Sequence, residues 1–211
     1  MARQKGWLKG GRGSTSSRFT RRVAVIDERP RILIVCEGLK TEPNYFKGFK
    51  LTNVRLAIVP AGAVHVSVVE HAKAILEDDG DYEETWCVFD RDKHVDNPKD
   101  LEIFNKALQE AQASGINVAY SIDAFELWYL LHFNYYDTAI SRADYITKLN
   151  DLIDGGYEKN DKKMFSKLEG RLPDAMRNAK KLYDASNKKD PASSDPSTTV
   201  FKLVERLMDL G

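Results

Sequence analysis

Carboxylate side chains directly follow two apolar runs of this sequence. Glu37 comes after the run at residues 32–36, and Asp90 and Asp92 come after the run at residues 86–89. Such short runs are typical of strands covered on both faces, and ligands of parallel α/β sheets bind at the carboxyl ends of the strands. Three carboxylates at one edge repel one another unless a cation compensates their charge. Because hard oxygen ligands select Mg²⁺ or Mn²⁺, the pattern predicts a divalent metal site.

The chemistry that this donor set predicts is phosphodiester hydrolysis. A metal ion that keeps several waters can polarise a phosphodiester, stabilise the leaving oxygen and activate a water. Lys40, Arg91 and Lys93 lie beside the carboxylates in the sequence and are candidate contacts to a substrate phosphate. No serine or cysteine nucleophile pattern, Walker lysine loop or Gly-x-Gly-x-x-Gly loop occurs, so the chain itself is not predicted to be an ATPase.

Two further ionisable residues lie in the aromatic run at residues 125–133. Glu126 needs a partner in apolar surroundings, and the partner is a metal and substrate site or a structural ion pair. We therefore treat it as a candidate catalytic residue. His132 is either a general acid or phosphate contact, or a hydrogen-bonded structural histidine.

Two other polar groups have mainly structural interpretations. Asp78, Asp79 and Asp81 form the densest acidic cluster, but no apolar strand precedes them and they indicate a solvated helix end. Residues 197–199 are predicted to cap the last helix, although a helix N-terminus can also bind phosphate.

The elements that must position these residues alternate between strand and helix from residue 31 onward, which predicts an α/β fold with a four-stranded parallel sheet. Strands are predicted at residues 32–36, 54–59, 86–89 and 116–120, and helices between them at 42–47, with Thr41 as N-cap, 66–76 and 101–113. Helices alone are predicted afterwards, at residues 125–133, 144–153, 164–168, 174–185 and 199–210. We therefore expect a flexible basic arm over residues 1–30, an α/β core over 31–123 and a helical extension packed on the core over 124–211.

Composition limits the class of protein. The 211 residues are 42% hydrophobic and 30% charged, and no apolar stretch reaches the length of a membrane span. Both cysteines, Cys36 and Cys87, lie within apolar runs, which favours a reduced, cytoplasmic setting. The net charge is zero, yet residues 1–31 hold nine Lys or Arg against two acidic residues. That arm is either a solvated tail or a contact to a nucleic-acid backbone.

Four sequence blocks together resemble the RloB family, and they cover residues 32–46, 88–92, 125–133 and 195–200. The resemblance implies a domain of the wider Toprim-like group, with Glu37 as acid, base or ligand and Asp90 and Asp92 as ligands of Mg²⁺. The chain departs from the usual Ser-Asn-Pro of the family at residues 121–124, where Asp123 is a further acidic candidate. Members are found beside restriction and phage-defence genes, often with an ATPase partner.

The resulting hypothesis is a magnesium- or manganese-dependent nuclease, a hydrolase that acts on DNA or RNA in defence, including abortive infection. The alternative is a non-catalytic nucleic-acid-binding or regulatory subunit of a defence complex that contains an ATPase. Nucleotidyl or phosphoryl transfer at the same carboxylates is a third possibility.

Overall fold

A computed structural model describes residues 29–92 and 98–211. Its four strands are β1 (Arg31–Cys36), β2 (Arg55–Pro60), β3 (Glu84–Arg91) and β4 (Asn117–Ile122). They form one sheet in the order β2-β1-β3-β4, and all three neighbouring pairs are parallel. The predicted α/β fold with a four-stranded parallel sheet flanked by helices is therefore confirmed. Nearly all of the basic arm, and Lys93, lie outside the described residues.

Three helices connect the strands, and the sheet is covered on both faces. They are α1 (Thr41–Phe46), α2 (His65–Asp78) and α3 (Pro98–Ala113). Alternate side chains of β1 enter two apolar clusters, because successive residues of a strand point to opposite faces. Leu33 and Val35 pack with α2 and α3 residues, whereas Ile32 and Ile34 pack with residues of the later helices.

Five helices follow the sheet: α4 (Glu126–Leu130), α5 (Arg142–Leu152), α6 (Met164–Leu168), α7 (Leu172–Ala185) and α8 (Val200–Asp209). Helix α4 is shorter than the predicted helix at residues 125–133. One continuous apolar cluster joins the β1 face of the sheet to residues of α4, α7 and α8. The boundary at residues 123 and 124 stays a prediction. Within the two described ranges, no helix is long and apolar enough to cross a membrane.

The predicted helix cap at Thr41 is wrong, because a tertiary hydrogen bond takes its side chain. The N-cap of α1 is Lys40 rather than Thr41, whose hydroxyl donates to the Lys159 carbonyl. The cap predicted at residues 197–199 is confirmed in part, since Thr198 Oγ1 accepts a hydrogen bond from the N–H of Val200, the first residue of α8, at 3.2 Å. Thr199 stands at the N-cap of α8, but its Oγ1 accepts a hydrogen bond from the Tyr120 N–H. Thr198 also forms an antiparallel bridge with Ser121. Residues 197–199 thus connect the start of α8 by hydrogen bonds to β4, the outer strand of the sheet.

Candidate functional site

The predicted carboxylates meet in a cavity of about 480 Å³ at the carboxyl ends of β1 and β3. Strand register explains the convergence, since Cys36 lies beside Val88 in the parallel pair. The backbone N–H of Glu37 donates to the Val88 carbonyl at 2.8 Å. The lining includes five acidic residues: Glu37, Glu42, Asp90, Asp92 and Glu126.

Backbone donors fix Glu37, which directly follows β1, and Asp90, which is the penultimate residue of β3 because the strand extends past the predicted end at residue 89. Glu37 Oε2 accepts a hydrogen bond from the Asp90 N–H at 3.0 Å, and Asp90 Oδ2 accepts one from the Phe125 N–H at 2.9 Å. Phe125 lies at the start of α4, so the chain after β4 closes over the carboxyl end of β3. These hydrogen bonds hold both side chains at the cavity and leave other oxygens available.

The electrostatics of the cavity favour a proton or a cation. Burial raises the pKa of Glu37 to about 7, against the lowering effect of its hydrogen bond from Asp90, and the charges of Asp92 and Glu42 add to the rise. Burial and then the charges of Glu42, Glu126 and Glu37 raise the pKa of Asp90 well above its usual range. Each carboxylate thus makes ionisation of its neighbours more costly.

Glu42 belongs to this cluster although the sequence indicated only a place in a helix. Its side chain enters the cavity from the first turn of α1, it is 5% exposed, and Oε2 has no hydrogen-bond partner. A Cβ atom at position 38 would displace this carboxylate, so Gly38 leaves room for Glu42 in its present position. The available signal was an acidic residue in the first turn of the helix that follows Glu37. Asp90 Oδ1 is a second buried oxygen without a partner.

Glu126 is held at the cavity by a tyrosine. It is 4% exposed, and its Oε1 accepts a hydrogen bond from the Tyr157 hydroxyl at 2.7 Å. Of the alternatives weighed for Glu126, the described residues show this neutral donor rather than a structural ion pair. The role of Tyr157, which precedes α6, was not evident from the sequence because it lies 31 residues further along the chain.

One arginine pairs with the acidic cluster. Arg142, the first residue of α5, donates from Nη2 to Asp92 Oδ1 at 2.6 Å and to the Asp123 carbonyl at 2.7 Å. The same nitrogen lies 3.9 Å from Asp90 Oδ2. Lys40 and Lys159 also line the cavity, from the turn after β1 and from the segment before α6. Sequence reasoning found Lys40 but missed Arg142 and Lys159, which are distant in the chain from the strand ends.

Some predicted site residues are not brought to the cavity. Arg91 is the last residue of β3, is 7% exposed and is not part of the lining. Strand alternation explains this, because Arg91 stands between Asp90 and Asp92 and therefore points to the other face. Asp123 is also buried and outside the lining, in a left-handed conformation with φ 77°, and contributes its carbonyl to Arg142.

The remaining polar candidates have structural surroundings. His132 is fully buried, its Nδ1 contacts the Trp128 carbonyl at 2.9 Å, and burial lowers its pKa to about 4. It packs edge to face on Tyr45 and Trp128 as a neutral aromatic group. The acidic cluster at the end of α2 is occupied by an ion pair, since Arg31 donates to both carboxylate oxygens of Asp79.

The donor set of the cavity fits a hard divalent cation. Carboxylate oxygens predominate, two of them are buried without a partner, and burial together with like charges raises the pKa values of Glu37 and Asp90. Across the described ranges, however, no three His, Cys, Asp or Glu side chains already surround a common point. Asp92 is turned toward Arg142 instead. The residues therefore suit the ion chemically, and their side chains must reorient to bind it.

Fold and site together define a class of protein: a Rossmann-like α/β domain with an acidic cavity at the carboxyl ends of neighbouring parallel strands. The family model described as "RloB: RloB-like protein" matches residues 32–207, and the chain belongs to that family. No curated protein matches the sequence. Among solved structures, a de novo designed Rossmann fold protein is similar over 44% of this chain and 83% of its own, with 21% identity and a TM-score of 0.30.

Proposed function

We propose that this RloB-like protein is a metal-dependent nuclease, which hydrolyses phosphodiester bonds of DNA or RNA in defence against foreign genetic elements. One observation carries the proposal. Five carboxylates line a single open cavity at the carboxyl ends of β1 and β3, and among the described residues the only ion pairs to them come from Arg142. Their excess negative charge is suited to binding a divalent cation.

Glu37, Asp90 and Asp92 are the residues that would hold Mg²⁺ or Mn²⁺, and Glu42 and Glu126 lie close enough to share that role. When bound, such an ion polarises the scissile phosphate and lowers the pKa of a coordinated water. No membrane component is required by this proposal.

The chain itself supplies proton transfer and substrate positioning. Glu37 has a pKa of about 7 in the metal-free protein because of burial, so it would serve as general base or acid where it does not bind the cation itself. The ammonium groups of Lys40 and Lys159 lie at the same cavity and would bind phosphate oxygens. Tyr157 positions Glu126 through its hydroxyl. The basic N-terminal arm is the proposed contact to more distant phosphates.

The test is cleavage of labelled single-stranded DNA, double-stranded DNA and total RNA by the purified full chain in Mg²⁺, Mn²⁺ or EDTA. We expect metal-dependent cleavage that falls at least about 10³-fold in Glu37→Gln and Asp90→Asn, the scale of losing a group that acts in the reaction itself. Asp81→Asn is the matched control, because Asp81 is an exposed acid whose side chain is 92% accessible. Sequencing of the product ends separates hydrolysis from nucleotidyl transfer.

The competing function is that of a regulatory or binding subunit of an ATPase-containing complex, and it predicts the opposite result. Under it, the partner ATPase would bind and work normally when Glu37, Asp90 and Asp92 are all replaced by amides. An assay that adds a candidate partner ATPase therefore completes the test. Cleavage by the wild-type complex that the triple variant abolishes supports the nuclease, whereas full function of the triple variant contradicts it.

A further inference from the structure

The position of Arg142 is unusual for local reasons. It is the first residue of α5, a helix of 11 residues whose N-terminus is closed by a capping box between Ser141 and Asp144. A cation in the first turn opposes the helix dipole, which favours acidic side chains there. Helix stability therefore does not explain an arginine at this place, whereas the acidic cavity beside it does.

The Arg142 guanidinium has N–H donors that are not used in hydrogen bonds. Both of its hydrogen bonds within the described ranges use Nη2, and the buried Nε has no partner. The side chain is 28% exposed and lines the cavity together with Lys40 and Lys159. A planar guanidinium presents its donors as a rigid fork that matches two oxygens of a phosphate. Arg142 is thus placed and oriented by a capped helix, with donors left over for a ligand in the cavity.

Its present partners include two predicted metal ligands. Nη2 contacts Asp92 Oδ1 at 2.6 Å and lies 3.9 Å from Asp90 Oδ2. A guanidinium and a divalent cation compete for the same carboxylates, because their positive charges repel each other at short distance. In the cavity, Asp92 Oδ1 is thus occupied by Arg142.

We propose that Arg142 is a substrate-binding residue that contacts a phosphate of the nucleic acid, and that its pairing with Asp92 competes with binding of a divalent cation. The inference rests on the proposed nuclease function and adds to it a specific anion contact. In the metal-free protein Arg142 compensates the carboxylates. When Asp92 binds the cation instead of Arg142, the guanidinium is free to bind the negatively charged backbone of the substrate.

The experiment compares Arg142→Gln and Arg142→Lys with wild type. Arg177→Gln is the matched control, since Arg177 is an exposed arginine that pairs with Asp174 on α7. Mn²⁺ affinity is measured by calorimetry on the full chain without nucleic acid, unfolding is measured in EDTA, and cleavage is measured with the substrate class found above. The first two measurements do not depend on catalysis.

We expect Arg142→Gln to bind Mn²⁺ about tenfold more tightly, because a competing positive charge is removed. Its midpoint of thermal unfolding in EDTA should fall by about 2–4 °C, the shift that follows loss of one favourable charge contact in a domain of this size. Its kcat/KM should fall about 10²-fold, the scale of a lost donor to a reacting phosphate or oxyanion. Arg142→Lys should keep wild-type Mn²⁺ affinity but recover only part of the cleavage.

Unchanged Mn²⁺ affinity in Arg142→Gln would overturn the competition, and unchanged kcat/KM would overturn the phosphate contact. Should Arg142→Gln not fold, wild-type cleavage by Arg142→Lys would overturn the proposed fork-shaped contact. Failure of the nuclease proposal looks different, because the wild type itself would then neither cleave nor respond to Asp90→Asn.

Discussion

Two arginine–carboxylate clusters lie at opposite ends of the same sheet, and the pKa values of their carboxylates are shifted in opposite directions. At the amino end of β1, Arg31 donates to both oxygens of Asp79, at 2.9 and 2.6 Å, and stacks on Tyr82. The arginine, mainly through its hydrogen bond, lowers the pKa of Asp79. At the carboxyl end, Arg142 faces a larger set of carboxylates, and the pKa values of Glu37 and Asp90 are raised.

The difference comes from exposure and charge ratio rather than from the number of acidic residues in the sequence. Asp79 and Asp81 reach solvent, and one bidentate arginine satisfies the nearer of them. The carboxylates around Arg142 converge from β1, β3, α1 and α4 into a single cavity, where burial penalises the charges of Glu37, Glu42 and Asp90. The charge of Asp79 is compensated by Arg31 without a ligand. The carboxylates around Arg142 keep an excess negative charge that favours binding of a cation.

The strongest way to separate the two clusters is to neutralise one carboxylate in each. Asp90→Asn should increase the free energy of unfolding of the metal-free protein by about 1–3 kcal/mol, because it removes a buried like charge while keeping an acceptor for the Phe125 N–H. Asp79→Asn should lower that free energy, because Arg31 loses its partner. Urea unfolding at pH 8 in EDTA measures both.

Addition of Mn²⁺ sharpens that contrast. A ligand present at 100 times its Kd stabilises the folded state by about 2.7 kcal/mol. Wild type and Asp79→Asn should show this gain, and Asp90→Asn should lose most of it. Equal gains in all three proteins would place the metal outside the cavity.

The pH dependence of stability should follow the raised pKa of Glu37. The folded protein binds this proton more tightly than the unfolded chain, so the contribution of Glu37 to stability falls as pH rises from about 4.5 to about 7. After allowance for its partial exposure, the change is about 2 kcal/mol. The measurement is the difference in unfolding free energy between Glu37→Gln and wild type in EDTA, from pH 4.5 to pH 8.

That difference should grow in favour of the glutamine variant with increasing pH and become constant above about pH 8, because the folded-state titration is then complete. Subtracting the two proteins cancels the titration of groups that do not interact with Glu37, such as the buried His132. Asp79 should show the opposite pH dependence, since its lowered pKa means that its contribution to the free energy of unfolding is lost as pH falls. A difference that does not change with pH would contradict the burial of Glu37 as a charged group.

The Tyr157 hydroxyl offers a smaller perturbation of the cavity. Tyr157→Phe removes the donor to Glu126 Oε1 and should cost about 1 kcal/mol of stability, the net value of one hydrogen bond. Cleavage should fall only about tenfold if Tyr157 positions Glu126 without touching the substrate. Tyr183→Phe is a suitable control, because Tyr183 lies on α7 outside the lining of the cavity. A loss as large as that of Asp90→Asn would instead make Tyr157 a direct participant.

The smallest effect is expected at Asp81, which is exposed in the cluster at the amino end of β1 and lies 3.8 Å from Arg31. Asp81→Asn should leave cleavage and Mn²⁺ affinity at wild-type values, because exposed ion pairs contribute little. Any loss of Mn²⁺ binding in this variant would mean that the denser acidic sequence was the metal site after all.

Much of the fold was predictable because the deciding signals are local. Apolar runs at β1 and β3, and helical spacing of Val68, Val69 and Ala72 on α2, were correctly assigned. Errors occurred where tertiary contacts took over a local signal. Thr41 has the composition of a helix cap, yet its hydroxyl serves the Lys159 carbonyl, 118 residues away. Helix α4 ends before the apolar run does, since apolar content alone does not fix a helix end.

The sequence by itself determined that Glu37, Asp90 and Asp92 would lie at the carboxyl ends of parallel strands, because strand periodicity and the stop after each run are encoded by neighbouring residues. Only the tertiary structure decided which other groups join them. Glu42 and Arg142 come from α1 and α5, and Tyr157 and Lys159 come from the segment before α6. Their convergence depends on the packing of α1 against α6 and of α4 against β4 and α5. The residue types determine which functional groups are present, but the distances between those groups depend on how segments far apart in the chain pack together.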